Sequence, residues 1–107
     1  MKTGIELIAE ERKRQIEVEG YVSKNDDIYW SHGELADAAS CYAMDKSLRT
    51  CTMAVGDTIF KSIWPWSDAC FKPTPDNRIK ELVKAGALIV AEIDRLQRLK
   101  EDSPSQA

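Results

Sequence analysis

DDIYWSHGELADAASCYA, residues 26–43, decides how the rest of the chain is read. Two adjacent carboxylates, Asp26 and Asp27, precede an aromatic pair and the only histidine, His32. Ser31-His32-Gly33-Glu34 has the S-x-x-E form of a capping box, in which hydroxyl and carboxylate each accept from an exposed backbone N–H of the helix start. Leu35, Ala38, Ala39, Tyr42 and Ala43 then recur at the i, i+3, i+4, i+7, i+8 spacing of a helix packed along one face. This predicts a helix over residues 32–46. Acidic groups, a histidine and a helix start crowd together here, so a functional site is expected here first.

Two further helices follow from the same signals. Thr74 as N-cap with Pro75 behind it starts a third helix. Its apolar face is expected at Ile79, Leu82, Val83, Gly86, Ile89, Val90, Ile93 and Leu96. Gly86 costs about 1 kcal/mol relative to alanine in mid-helix, and a residue that small permits another helix to approach closely. The first helix is expected over residues 3–19, with Thr3-Gly4-Ile5-Glu6 as its capping box and Gly20 as the C′ residue. Its apolar stripe, Ile5, Ile8, Ala9, Arg12 and Ile16, is narrow. The remaining charge reads as a solvated face, with Glu10 and Arg14 spaced to pair. The sharper alternative turns Glu11, Arg14 or Gln15 inward toward the acidic loop at residues 20–30.

Between the second and third helices the pattern weakens. Residues 50–60, around Gly56-Asp57, suit a short hairpin or an irregular segment with one helical turn. Trp64-Pro65-Trp66 is stiff and extended, because proline fixes its own φ and holds its predecessor extended. The two rings either cover the end of a small core or offer a stacking surface to a base or a peptide. The expected architecture is all-α: a compact three-helix domain over residues 1–100 with an irregular, Trp-rich connection between helices two and three. Residues 101–107 have nothing apolar to pack and read as a disordered tail.

Composition narrows the function classes. At 107 residues the chain is one domain with a modest core, and self-association as a homodimer is expected. Eighteen Asp and Glu against 15 Lys and Arg argue against nonspecific nucleic-acid binding. No run approaches the roughly 18 apolar residues of a membrane span, and no secretory leader is evident. Cys41, Cys51 and Cys70 form no C-x-x-C pair, which suits reduced, buried or semi-buried thiols in the cytoplasm.

Glu34 and Asp37 stand three apart, on about the same side of the second helix. With Asp27 before that helix and Glu11 from the first, they supply the hard oxygen ligands that Mg²⁺ prefers. Such a metal would polarise a nucleotide phosphate and activate water, making Glu34, Asp37 and Asp27 catalytic candidates. The same acids also suit a helix N-terminus, where Asp37 needs no metal to be favourable. One histidine and scattered cysteines argue against zinc. No nucleophile elbow and no phosphate-cradling glycine loop are present.

Several motifs taken together resemble a family of small proteins encoded mostly by bacteriophages and prophages. They are ERKRQIEVEGY (11–21), the Asp26-Asp27 pair, GELADAASCYA (33–43), WPW (64–66), KP (72–73) and ELVKAGALIVAEIDRL (81–96). The resemblance makes Arg14, Gln15, Asp27, Glu34, Lys84 and Glu92 the polar positions of interest. Glu34 and Glu92 are expected to meet a shared arginine or metal, or to set helix register in a buried ion-pair network. The GELADAA helix is also similar to the E-x-x-D helix of MazG-like nucleotide pyrophosphohydrolases. That likeness implies Mg²⁺-dependent cleavage of a nucleoside triphosphate to monophosphate and pyrophosphate. Glu11, Asp27, Glu34 and Asp37 would hold metal, Arg14 and Lys84 would neutralise phosphate, and Trp64 and Trp66 would contact substrate. A non-catalytic alternative is a phage protein that binds a host protein in the host cytoplasm.

Overall fold

The computed structural model describes residues 1–19 and 32–101. Gly20, the Asp26-Asp27 pair, Ser31 and the tail beyond residue 101 lie outside the described residues. Among the described residues the chain is all-α: α1 (Gly4–Glu17), α2 (Glu34–Ala43), two short helices, α3 (Lys46–Arg49) and α4 (Ile59–Ile63), a 3₁₀ turn (Asp68–Cys70) and the long α5 (Arg78–Glu101). None of these helices is long and apolar enough to cross a membrane. The spine is α5, which packs against α2 most extensively and against α1 next.

The start of α1 is as the sequence dictates. Thr3 Oγ1 accepts from Glu6 N at 3.2 Å, and Glu6 Oε1 accepts from Thr3 N at 3.0 Å. The second helix departs from expectation at both ends. Its N-cap is Gly33, at φ 85°, with no side-chain cap. Glu34 still reaches back, but to His32 N–H at 2.6 Å. At the other end Met44 turns extended, and Asp45 starts α3 by accepting from Ser47 N, so the expected run to residue 46 is two helices. α5 also starts later than Pro75. Thr74-Pro75-Asp76-Asn77 forms a turn closed by Asn77 N–H to Thr74 O at 2.8 Å, a setting that suits proline's fixed φ. Asn77 Oδ1 then caps the helix by accepting from Lys80 N.

Residues 50–60 combine both expected forms. Thr52 and Thr58 make one antiparallel bridge around a turn whose Gly56 has φ 94°, and α4 follows at once.

The largest correction concerns which faces are inside. The core joins Leu35, Ala38, Ala39, Cys41 and Tyr42 of α2 to Ala85, Leu88 and Ala91 of α5, with Trp64 closing one end. The large aliphatics expected to pack from α5, Ile79, Leu82, Ile89, Ile93 and Leu96, are instead exposed. Alanines facing alanines let two helices approach closely, so the small-residue side of α5 is the one that meets α2. On α1, Ile5 and Ile16 are exposed while Arg12 and Gln15 are buried. The expectation for Gly86 holds: a Cβ there would lie 2.5 Å from Ile8 Cδ1, so α1 crosses α5 at that glycine.

An ion-pair network missed by the sequence reading locks α2 to α5. Glu81 is buried and accepts from Arg49 Nη2 at 3.3 Å, Arg78 Nη1 at 3.2 Å and Thr74 N at 3.2 Å. The same two arginines donate to the last carbonyls of α2: Arg49 to Cys41 O, and Arg78 to Tyr42 O, Ala43 O and Met44 O. Cations at a helix C-terminus satisfy orphan carbonyls and meet the negative end of the helix dipole.

Candidate functional site

Among the described residues a cleft forms that Glu34 does not line. The cleft, of about 200 Å³, opens where α1, α2, α5 and the segment after Trp64 meet. Its polar lining includes Glu11, Arg14, Gln15, Glu19 and Lys84, and Tyr42, Trp64 and Trp66 supply aromatic surface. Of the residues singled out from sequence, the fold brings Glu11, Arg14, Gln15, Lys84, Trp64 and Trp66 together here.

Gln15 forms the most demanding part of the lining. Gln15 is 3% exposed, its Nε2 donates to Glu11 Oε2 at 3.4 Å, and its buried Oε1 has no hydrogen-bond partner among the described residues. A buried amide oxygen left unpaired costs about 1–3 kcal/mol, which a ligand donor would recover. Lys84 directs Nζ to Lys72 O at 2.7 Å and lies 5.6 Å from the centre of the Tyr42 ring. Tyr42 Oη in turn accepts from Lys72 N at 3.0 Å, so Lys72 is held by its backbone at both ends. Burial lowers the Lys84 pKa, and the nearby Lys80 charge adds to that, with Glu11 acting in the opposite direction. An anion entering the cleft would oppose both effects by favouring the charged ammonium.

Glu11 is held by Arg14 in a two-pronged pair, Nε to Oε1 at 2.8 Å and Nη2 to Oε2 at 2.7 Å. Burial alone would raise the Glu11 pKa, but Arg14, Gln15 and Lys84 together outweigh it and leave the carboxyl below its ordinary range. Arg14 also donates to Glu19 at 3.0 Å, and its pKa is raised, chiefly by Glu11. The expected Glu10–Arg14 pair does not form, because Glu10 pairs with Lys2.

The other acids lie elsewhere. Glu34 is engaged by His32 N–H at the start of α2, and Asp37 is exposed. Glu92 pairs within α5 with Arg95, at 2.6 and 3.1 Å. Among the described residues no group of three or more His, Cys, Asp or Glu is placed to hold a metal ion. Glu11, Glu34 and Asp37 therefore do not fit a common Mg²⁺ site, and Asp27 lies outside the described residues.

The tryptophans serve the core more than a ligand. Trp64 is buried, and its Nε1 donates to Ser67 O at 2.9 Å. It packs on Tyr42, Phe60 and Phe71, and meets Trp66 edge to face at 5.4 Å and 83°. Perpendicular rings in contact leave no slot for a base between them. Trp66, half-buried, keeps one flank on the cleft. Among the cysteines, Cys41 is buried with its pKa pushed up to about 11 by burial, whereas Cys51 and Cys70 are exposed, against expectation.

No family model, no curated protein and no solved structure matches this chain.

Proposed function

We propose that the cleft is a nucleotide-binding site. One observation carries the reading: Gln15, whose buried Oε1 has no hydrogen-bond partner among the described residues, lines the same cleft as Lys84. An amide oxygen accepts from ring or exocyclic N–H groups of a base, and a lysine with donors to spare neutralises phosphate oxygens. Tyr42 and Trp66 supply the aromatic surface between them. At about 200 Å³ the cleft is below the roughly 300–1,000 Å³ that encloses a whole drug-sized ligand. It would enclose one end of the nucleotide and leave the rest in solvent.

The activity implied by the MazG-like resemblance, release of pyrophosphate from a nucleoside triphosphate, would use this site. Magnesium would supply phosphate polarisation in that chemistry, although among the described residues no three carboxylates gather around one point. Pyrophosphate release is to be measured across nucleoside and deoxynucleoside triphosphates with Mg²⁺ or Mn²⁺, for wild type, Lys84→Met and Glu34→Gln. Turnover lost in Lys84→Met supports the cleft as the site. Loss in Glu34→Gln alone, with Lys84→Met fully active, contradicts it.

A second reading has an observation in its favour. The small cleft also suits a single protruding side chain, and Arg14 is already neutralised by Glu11 and Glu19. That is what a non-catalytic phage protein seated on a host protein would present. Pull-down from host lysate with wild type, compared with a variant carrying Trp66→Ala, separates the two. Recovery of nothing above background ends the second reading.

A further inference from the structure

Five charged residues line the cleft: the carboxylates Glu11 and Glu19, and the cations Arg14, Lys72 and Lys84. Arg14 answers both carboxylates. Its Nε and Nη2 donate to Glu11 at 2.8 and 2.7 Å, and its Nη1 donates to Glu19 at 3.0 Å. All three guanidinium nitrogens are engaged, and the Glu11–Arg14–Glu19 unit carries an excess of one negative charge. Glu19 lies beyond the end of α1 and reaches back to make its half of that unit.

Lys84 stands differently. Its Nζ donates to Lys72 O at 2.7 Å, and an ammonium has three donors, so two remain for a ligand. Burial, Lys80 and Arg14 act against its charge while Glu11 and Glu19 favour it, so Lys84 and the Glu11–Arg14–Glu19 unit share one electrostatic field. Lys72 is exposed, and what it gives the site is its backbone, N–H to Tyr42 Oη and C=O to Lys84.

This charge pattern limits what can follow a base into the cleft. Gln15 and the aromatic surface of Tyr42 and Trp66 suit the base, so the phosphate nearest the sugar falls to Lys84. A phosphate monoester carries about −1.5 to −2 at pH 7, which one ammonium answers in large part. Each further phosphate adds negative charge beside a unit that is itself negative, and Arg14 cannot turn to it without releasing a carboxylate. Like charges brought together count strongly against a partner.

We propose, on the nucleotide reading of the cleft, that it takes a nucleoside bearing one phosphate in preference to a di- or triphosphate. Lys84 meets that phosphate, and Glu19 sets the limit by occupying Arg14. Removing the Glu19 charge leaves a neutral Glu11–Arg14 pair and frees Nη1, which turns the same cleft toward longer phosphate chains.

Isothermal titration in metal-free, low-salt buffer tests this with the nucleoside, monophosphate, diphosphate and triphosphate of each common ribonucleoside. Wild type is expected to bind the monophosphate of its preferred base about tenfold more tightly than the nucleoside or the triphosphate. Lys84→Met is expected to bring the monophosphate down to the affinity of the nucleoside. Glu19→Gln is expected to raise the ratio of triphosphate to monophosphate affinity about tenfold while keeping its helical circular dichroism. A wild type that binds triphosphate as tightly as monophosphate, or more tightly, overturns the proposal and leaves the nucleotide reading standing. A ratio unmoved by Glu19→Gln overturns the role of Glu19. Absence of saturable binding by any of these nucleotides to folded wild type overturns the nucleotide reading itself, and the preference with it.

Discussion

Removing the Glu81 carboxylate tests how the fold is locked. That side chain is 3% exposed and faces the equally buried Arg49, whose side chain is 7% exposed. Glu81→Ala deletes three accepted hydrogen bonds and leaves the Arg49 charge in the interior without its carboxylate. Breaking one half of a buried ion pair costs about 3–5 kcal/mol. We place this site near 3 kcal/mol, because Arg49 keeps its bond to Cys41 O and Arg78 is partly exposed. For a domain with a total stability of about 5–15 kcal/mol that is a large fraction. At about 4–8 °C per kcal/mol it lowers Tm by roughly 10–25 °C. Replacing both partners, Arg49→Met with Glu81→Leu, removes the stranded charge and should recover much of the loss. Urea denaturation of the two singles and the double closes the cycle, with an expected coupling of about 2 kcal/mol. A Glu81→Ala cost under about 1 kcal/mol, or strictly additive singles, refutes the reasoning.

Three further outcomes are expected. Gly86→Val should destabilise by about 2 kcal/mol in urea, because its Cβ meets Ile8, whereas Gly86→Ala should stay within about 1 kcal/mol, since helix propensity offsets the contact. Wild type should be more stable than Glu11→Gln at neutral pH, with the difference shrinking as pH falls below 4.5: the folded-state pKa is depressed, so its contribution is present above the unfolded value and lost as pH drops through the folded one. A pH-independent difference would show that Glu11 acts by shape alone. With a thiol reagent at neutral pH, Cys51 and Cys70 should be modified in the folded protein and Cys41 only on unfolding, given its burial and raised pKa.

How much of this could be read in the sequence depends on the residue. The helix of Leu35, Ala38, Ala39 and Tyr42 was legible because these positions recur on one face, although Ala43, expected on the same stripe, is exposed. In α5 the same reading chose the wrong side. Ile and Leu outweigh Ala in any hydrophobic pattern, yet Ala85 and Ala91 allow the closer approach to α2. Arg12 fell on the apolar stripe of α1 and Gln15 among the residues offered as turning inward, and both are buried. The partner of Arg49 lies 32 residues away, and nothing local announces it. The cleft draws on α1, α2, α5 and the segment around residue 70, so no single motif contains it. Lys84 was reached only through the pattern of the phage-type resemblance, whereas Arg14 and Gln15 were also offered by the inward-turning reading of α1. The E-x-x-D of Glu34 and Asp37 pointed to metal, whereas the structure gives Glu34 a backbone partner at the helix start.

The central claim is that Gln15 and Lys84 together recognise a nucleotide. Isothermal titration of nucleoside mono- and triphosphates, with and without Mg²⁺, into wild type, Gln15→Leu and Lys84→Met tests it most directly. Wild type should show saturable binding, and each substitution should weaken it by about tenfold or more, the value of one hydrogen bond with a charged or buried partner. Absence of saturable binding to folded wild type, or equal affinity in all three proteins, contradicts the account.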